Sequence, residues 1–432
     1  MLAVTLNQLR FEYDIHSLVK AFYPAETVKV FQEGTKDLVS DGDNPEIAVI
    51  FEENRIRIQV DGSEGQTDLS RPEEKNVVKN ELKQLLYRML SAKTGKELPW
   101  GSLTGIRPAK IAMQLLEEGK TQEEIRSYME QTYYCSQEKA DLAIGIACRE
   151  KEILKDIHYE QGYSLYVGIP FCPTTCLYCS FTSFPITIWR ERVEEYLGAL
   201  EKEMDFVQEA FRDKVLDSVY IGGGTPTTLE PDQLRRLLSR LRETFDFSRV
   251  KEFTVEAGRA DSITADKLRV LKEFGVTRIS VNPQTMNQKT LDLIGRRHTV
   301  EQVKEAFALA RREGFDNINM DLILGLPGED IPEVSHTMEE IKKLSPDSLT
   351  VHSLAVKKAS KMMQWIEKNG LGLLHNTEET VQLAARAAAE MNLHPYYLYR
   401  QKNMTGNLEN VGYAREGCYG LYNILIMEEK QS

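Results

Sequence analysis

The sequence lacks a long uncharged apolar run, an excess of positive charge and a dense set of cysteines, and each shortage removes a class of protein. Among its 432 residues the longest uncharged stretch, Gln161 to Trp189, carries three prolines and seven Ser/Thr residues, which makes it a poor membrane span. A formal net charge of −12 argues against nucleic acid or an anionic membrane surface as the main partner, because either favours a basic field. Six cysteines over this length are not a disulfide framework. The opening stretch MLAVTLNQLRFEYDIHSL has no signal-peptide pattern, so a cytoplasmic location is expected. What is present suits an enzyme: 41% hydrophobic residues can build a large core shared by two or three domains.

Three of the cysteines lie together. In SLYVGIPFCPTTCLYCSFTSFP, Ser164 to Pro185, Cys172, Cys176 and Cys179 occupy positions i, i+4 and i+7. Pro170 and Pro173 end the strand expected over Ser164–Phe171, so the thiols follow on a loop beyond its C-terminal end, where ligands gather in α/β folds. A structural zinc needs four ligands in a closed tetrahedron, and neither a second Cys-x-x-Cys nor a His-x-x-x-His is present to complete one. Three thiolates on a [4Fe–4S] cube leave one iron open to a ligand. A zinc knuckle completed by a distant residue and plain packing thiols are the competing readings.

Hydrophobic periodicity divides the chain into a small α/β piece (1–65), a helical region (66–160), a βα repeat (161–358) and a C-terminal segment (359–432) that reads as incomplete. In the first piece Leu6–Tyr13, Glu46–Phe51 and Arg55–Val60 are predicted strands and Ile15–Phe22 a helix, with turns at Asp41–Pro45 and Asp61–Gly65. Helices are predicted over Glu74–Ser91, Pro108–Glu118, Thr121–Glu130 and Glu138–Ile157, with Thr104 or Gly105 capping the second. Trp100 is either exposed among turn residues or packed beside a capped helix. Arg107 and Lys110 are either carboxylate contacts or part of a capped helix, and Cys135 and Cys148 are expected to pack in helices. From Ser164 onward six predicted strands (Ser164–Phe171, Asp217–Gly222, Glu252–Glu256, Arg278–Val281, Asn317–Leu324, Ser348–Leu354) alternate with helices at Arg190–Phe211, Pro231–Phe245, Thr264–Phe274, Val300–Glu313 and Pro332–Leu344. That alternation predicts a parallel βα fold. Beyond it come a helix at Glu378–Met391, the aromatic run His394–Arg400, a Gly/Asn loop and the lone Cys418; Tyr396, Tyr397, Tyr399 and Arg400 either line a flat acidic substrate or begin a packed domain.

The cysteine spacing after Tyr166-x-x-Ile169-Pro170-Phe171 resembles the radical S-adenosylmethionine (SAM) enzymes, in their oxygen-independent coproporphyrinogen III oxidase branch. Gly222–Thr227, Glu256, Arg278–Gln284, Gly295–His298 and Asp321–Pro327 resemble that branch's motifs in order, across 164–356, and the wording is most similar to the HemZ-type coproporphyrinogen dehydrogenases. The resemblance implies a partial (β/α)6 barrel, with a [4Fe–4S] cluster on Cys172, Cys176 and Cys179 and SAM beside Tyr166, Gly223 and Glu256. It implies a second SAM near Tyr178, Gly224, Thr225, Gln284, Arg296, Asp321 and Ala355. It further implies that a 5′-deoxyadenosyl radical removes hydrogen from a propionate, which loses CO2 and an electron to become vinyl, so that coproporphyrinogen III gives protoporphyrinogen IX in heme biosynthesis. An electron donor would be a partner.

Departures from the family's pattern keep other readings open. Gly168 stands where well-described members have His, and Phe181 stands where many have a fourth cysteine, as in related heme chaperones. Family members also continue past the position of Ser432. A heme-binding trafficking protein on the same fold, or a radical SAM enzyme acting on another anionic metabolite, are the alternatives.

Overall fold

The computed structural model describes every residue except 25, 35–45, 106, 358, 371, 402–407 and 430, so the turn expected at Asp41–Pro45 and most of the Gly/Asn loop lie outside the described residues. The chain divides into two compact units, one built on Met1–Ala147 with Arg400, the other on Cys148–Tyr399 and Glu409–Ser432.

The first unit holds a sheet of order β2-β1-β3-β4-β5, from β1 (Leu2–Leu6), β2 (Val28–Gln32), β3 (Ile47–Phe51), β4 (Arg55–Val60) and β5 (Ser63–Asp68). Helices α1 (Glu12–Phe22) and α2 (Lys75–Thr94) contribute to one core with it, through residues such as Ile15, Phe22, Leu82 and Leu86. The hairpin of β3 and β4 is as the alternation predicts, pairing Ile47 with Val60. The strand expected over Leu6–Tyr13 is not formed. Alternation that buries Leu2, Val4 and Leu6 ends there, Leu9 and Tyr13 face solvent, and Phe11 turns left-handed at φ 58° to start α1. Only Asp61 and Gly62 of the expected 61–65 turn have positive φ; Ser63–Gly65 pair with β4 as a polar edge strand, which carries no apolar signal.

Helices α3 (Ala109–Glu117) and α4 (Gln122–Tyr133) follow, and α5 (Gln137–Ile153) leads into the second unit. The expected cap on α3 is absent: Pro108 occupies the cap position, and Thr104 accepts a hydrogen bond from Lys83 Nζ at 2.8 Å. Trp100 is fully buried, which is the packed alternative, under the Arg400 guanidinium, and Cys135 sits in the α4–α5 loop rather than in a helix, with its Sγ 3.4 Å from Trp100 O.

The second unit is an eight-stranded, curled half-barrel sheet. Its strands are β6 (Gly162–Ile169), β9 (Val215–Gly223), β10 (Glu252–Gly258), β11 (Arg278–Val281), β12 (Ile318–Leu324), β13 (Ser348–Ser353), β14 (His394–Tyr399) and β15 (Asn410–Ala414). A two-residue pair, β7 (Phe171–Cys172) with β8 (Phe184–Pro185), stands apart from it. Neighbours from β6 through β9, β10, β11 and β12 to β13 pair in parallel, matching the strands expected, and β15 and β14 extend that edge antiparallel. The helices are α6 (Ile186–Trp189), α7 (Val193–Ala210), α8 (Pro231–Thr244), α9 (Ala265–Glu273), α10 (Gln288–Leu293), α11 (Val300–Arg312), α12 (Ile331–Leu344), α13 (Met362–Asn369), α14 (Glu378–Glu390) and α15 (Leu421–Glu428). Capping boxes fix the starts of α8, α11, α12 and α14, satisfying backbone donors that would otherwise be unpaired. In α8 the buried face is Leu234, Leu237, Leu238 and Leu241, the spacing of one helical stripe.

Period-two alternation sorts the sheet into two chemistries. One face is apolar, with Val167, Val219, Ile221, Val255, Ile279, Met320 and Leu349 all buried. In-register pairing puts Tyr166, Tyr220, Thr254 and Arg278 on the other, followed by Ser280, Asn319 and Ser348. A face this polar inside an α/β unit is what a bound polar molecule would satisfy.

Candidate active site

Pro170 breaks β6, and the chain turns through Phe171–Cys179 at the C-terminal end of the parallel strands. Three glycines let β9 approach that turn. Gly222 pairs with Gly168 and Gly223 with Ile169, and Gly224 N donates to Ile169 O at 2.7 Å. A Cβ on Gly224 would stand 2.6 Å from Phe171 O and 3.0 Å from Cys172 Sγ, so no larger residue fits without moving the cysteine turn. Gly223 holds φ at +105°, a conformation that disfavours side chains.

Cys172 and Cys176 are buried and Cys179 is partly exposed. Burial pushes the thiols of Cys172 and Cys179 up, so neither is poised as a free thiolate, and a metal centre would supply the positive charge that burial denies them. Thr225 Oγ1 donates to Cys172 Sγ at 3.6 Å, a contact that favours a sulfur carrying negative charge. Among the described residues no three His, Cys, Asp or Glu side chains converge on a single metal ion. Thiolates on separate corners of a cube need not converge on one point, so the all-sulfur donor set fits an iron–sulfur cluster better than a mononuclear ion.

Beside the turn, the Tyr220 hydroxyl donates to Glu256 Oε1 at 2.5 Å. Burial raises the Glu256 carboxyl to about 7, with the Tyr220 bond pulling the other way. The Tyr166, Tyr220 and Tyr422 rings stack, with centroids 5.9 Å apart for Tyr166–Tyr220 and 4.7 Å for Tyr220–Tyr422. Further along, Asn319 Nδ2 donates to Asp321 Oδ1 at 2.7 Å, and His352 Nε2 lies 4.0 Å from Asp321 Oδ2. Gln284 stands at φ 70°, its N donating to Asp321 O at 2.9 Å and its O accepting from Ile323 N at 2.9 Å. A left-handed backbone in a non-glycine residue is a strained conformation, held here by these two backbone hydrogen bonds. The buried Arg296 donates to Asn282 O, and its Nε has no partner among the described residues.

The ten expected SAM contacts therefore divide by element. Tyr166, Gly223, Glu256 and Asp321 lie on β6, β9, β10 and β12, Gly224, Thr225, Gln284 and Ala355 on segments that follow strands, and Arg296 in the loop between α10 and α11; Tyr178 is in the cysteine turn. Tyr396 and Tyr397 are buried in a cluster with Leu421, Ile424 and Leu425, Tyr397 in register with Gly412 and Thr350 and so on the polar face, whereas Arg400 Nη1 donates to Leu103 O at 2.6 Å. Tyr399 also reaches that face, its hydroxyl 3.3 Å from His352 Nδ1. Phe181 is 75% exposed. Sequence reading missed Tyr220, two residues before Gly222 on the same strand, and His352, three residues before Ala355, and it missed Tyr422, for which no local signal exists. A surface cavity lined by Met286, Lys289, Lys304 and Glu340 contains none of these groups.

Comparison with known proteins agrees with this geometry. Residues 166–341 match the model of the radical SAM superfamily. The oxygen-independent coproporphyrinogen-III oxidase-like protein HemZ of Bacillus subtilis is 41% identical over 369 residues, 84% of this chain and 74% of that protein. The heme chaperone HemW of the same organism is 33% identical over 269 residues, 62% of this chain and 68% of that protein. Escherichia coli coproporphyrinogen III oxidase, HemN, a radical SAM enzyme, superimposes with a TM-score of 0.50 at 26% identity, over 61% of this chain and 57% of that one. The chain belongs to the radical SAM superfamily, in its coproporphyrinogen oxidase-like branch. That family uses a [4Fe–4S] cluster and SAM. Among the described residues no helix is long and apolar enough to cross a membrane.

Proposed function

We propose that this chain carries out the oxygen-independent oxidative decarboxylation of coproporphyrinogen III, converting propionate side chains to vinyl groups on the way to heme in the cytoplasm. The observation that carries this reading is the identity to the HemZ oxidase-like protein across 369 residues, well beyond the barrel. When bound, the cluster and SAM supply a carbon radical able to take hydrogen from an unactivated C–H bond.

The residues divide the remaining work. Cys172, Cys176 and Cys179 would hold three irons, and Tyr166, Gly223 and Glu256 would line the first SAM. Tyr178, Gly224, Thr225, Gln284, Arg296, Asp321 and Ala355 would hold the second, with Arg296 and Asp321 matching a head group of mixed charge. The polar face offers carboxylate, imidazole and phenol groups to the pyrrole N–H groups and acidic side chains of a tetrapyrrole, and packed helices behind it keep water out. An electron donor is required.

A second reading, a heme chaperone, is favoured by Phe181 in the fourth-cysteine position and by the 33% identity to HemW. Anoxic turnover with coproporphyrinogen III separates the two: divinyl product together with 5′-deoxyadenosine supports the oxidase, whereas tight stoichiometric heme binding without vinyl product supports the chaperone.

A further inference from the structure

The loop between Cys172 and Cys176 is held by a charged side chain that none of the roles above uses. Arg259, at the end of β10, is 3% exposed. Its Nη1 donates to Thr174 Oγ1 at 2.6 Å and to Thr174 O at 3.1 Å. Its other edge is taken by Asp261, with Nε to Oδ1 at 3.0 Å and Nη2 to Oδ2 at 2.6 Å. This two-point grip fixes the guanidinium plane, so the remaining donors point in one direction. Thr174 passes the constraint on, donating from Oγ1 to Gly295 O at 3.0 Å, and the same turn is tied once more by Leu177 N to Ile294 O at 2.9 Å. His298, fully buried three residues past Gly295, stands behind Asp261 with Nδ1 3.8 Å from Oδ1.

We infer that Arg259, oriented by Asp261, is a positioning residue that fixes the Cys172–Cys176 loop on the end of the barrel and so presents the three thiols to the iron–sulfur cluster. Three facts lead there. A buried guanidinium that spends donors on one loop residue does so at a large desolvation cost, which pure packing would not require. The residue it grips stands midway in sequence between Cys172 and Cys176, in the turn that carries both thiols. The grip also reaches the Gly295–Arg296 segment, so the cysteine turn and Arg296 move together. Asp261 pairs with Arg259 along a full edge of the guanidinium, so the two form a rigid strut.

The inference rests on the reading that the three thiols hold a cluster, and its test reads the cluster directly. The anoxically reconstituted full chain is compared with Arg259→Gln, Arg259→Lys and Thr174→Val, measuring iron and sulfide per chain, the rate of bleaching in air, and the electron paramagnetic resonance of the reduced cluster with and without SAM. Arg259→Gln is expected to bleach at least several-fold faster than the parent and to broaden the SAM-dependent signal. Thr174→Val is expected to shift both in the same direction, and Arg259→Lys to restore part of the loss. Circular dichroism of the metal-free forms separates a misfolded variant from a misplaced loop, and Thr174→Val, which removes no buried charge, carries the test if Arg259→Gln does not fold. Arg259→Gln and Thr174→Val clusters that match the parent in bleaching and spectrum would overturn the strut while leaving the thiol reading intact. A parent chain that assembles no iron–sulfur chromophore would overturn both.

Discussion

Tyr220 and Glu256 face each other across adjacent parallel strands, joined by a hydrogen bond of 2.5 Å at the edge of the cysteine turn. Burial raises the Glu256 carboxyl from 4.5 to about 7, so the folded chain prefers the protonated form. The stability it contributes is complete below pH 4.5 and is lost as pH rises through about 7, on the order of 3 kcal/mol across that window. Urea unfolding of the metal-free chain between pH 4.5 and 8 is expected to show this fall, and Glu256→Gln to flatten it. Parallel curves for the two forms would contradict the shift.

Two glycines that pair across β6 and β9 or follow them should respond oppositely to one methyl group. A Cβ on Gly168 meets only Tyr166 Cε1 at 3.5 Å, whereas one on Gly224 meets backbone oxygen at 2.6 Å. Gly168→Ala is expected to change stability by less than ~1 kcal/mol, and Gly224→Ala to lose roughly 2 kcal/mol or more along with most bound iron. Thermal melts and iron analysis of the two variants decide it.

Gln284 keeps a left-handed backbone, at φ 70°, in a residue that is not glycine. Gln284→Gly should relieve about 1 kcal/mol of strain while removing the side-chain amide. The expected outcome is a chain at least as stable as the parent that binds SAM more weakly in equilibrium dialysis at the second stoichiometric equivalent.

Glu252 is buried at the base of the polar face and accepts hydrogen bonds from Leu421 N at 2.6 Å and Tyr422 N at 3.3 Å, anchoring α15. Glu252→Ala leaves those donors and the buried Arg278 without a carboxylate, and a loss of roughly 3 kcal/mol is expected. Hydrogen exchange should rise selectively in 421–428.

Much of the barrel was legible because each strand is a short β-rich run followed by a capped amphipathic helix: the boundaries of Arg278–Val281 and the start of Val300 agree with those expected. The missed strands are informative. Ser63–Asp68 is polar because it is an edge, and Asn410–Ala414 is short and glycine-containing because Tyr397 packs its ring over Gly412. The cysteines announced themselves by spacing. Arg259 and Tyr422 did not, since their work depends on residues far away in the sequence. The turn residues around Trp100 allow either exposure or packing, and Arg400 with the chain after Tyr133 buries it.

The most direct test of the iron–sulfur reading is Mössbauer spectroscopy of anoxically reconstituted, iron-57-labelled chain, recorded before and after adding SAM. The expected result is four irons per chain in one cubane, with a single iron changing its parameters when SAM binds. Zinc in place of iron, or a cluster in which no iron responds to SAM, would contradict it.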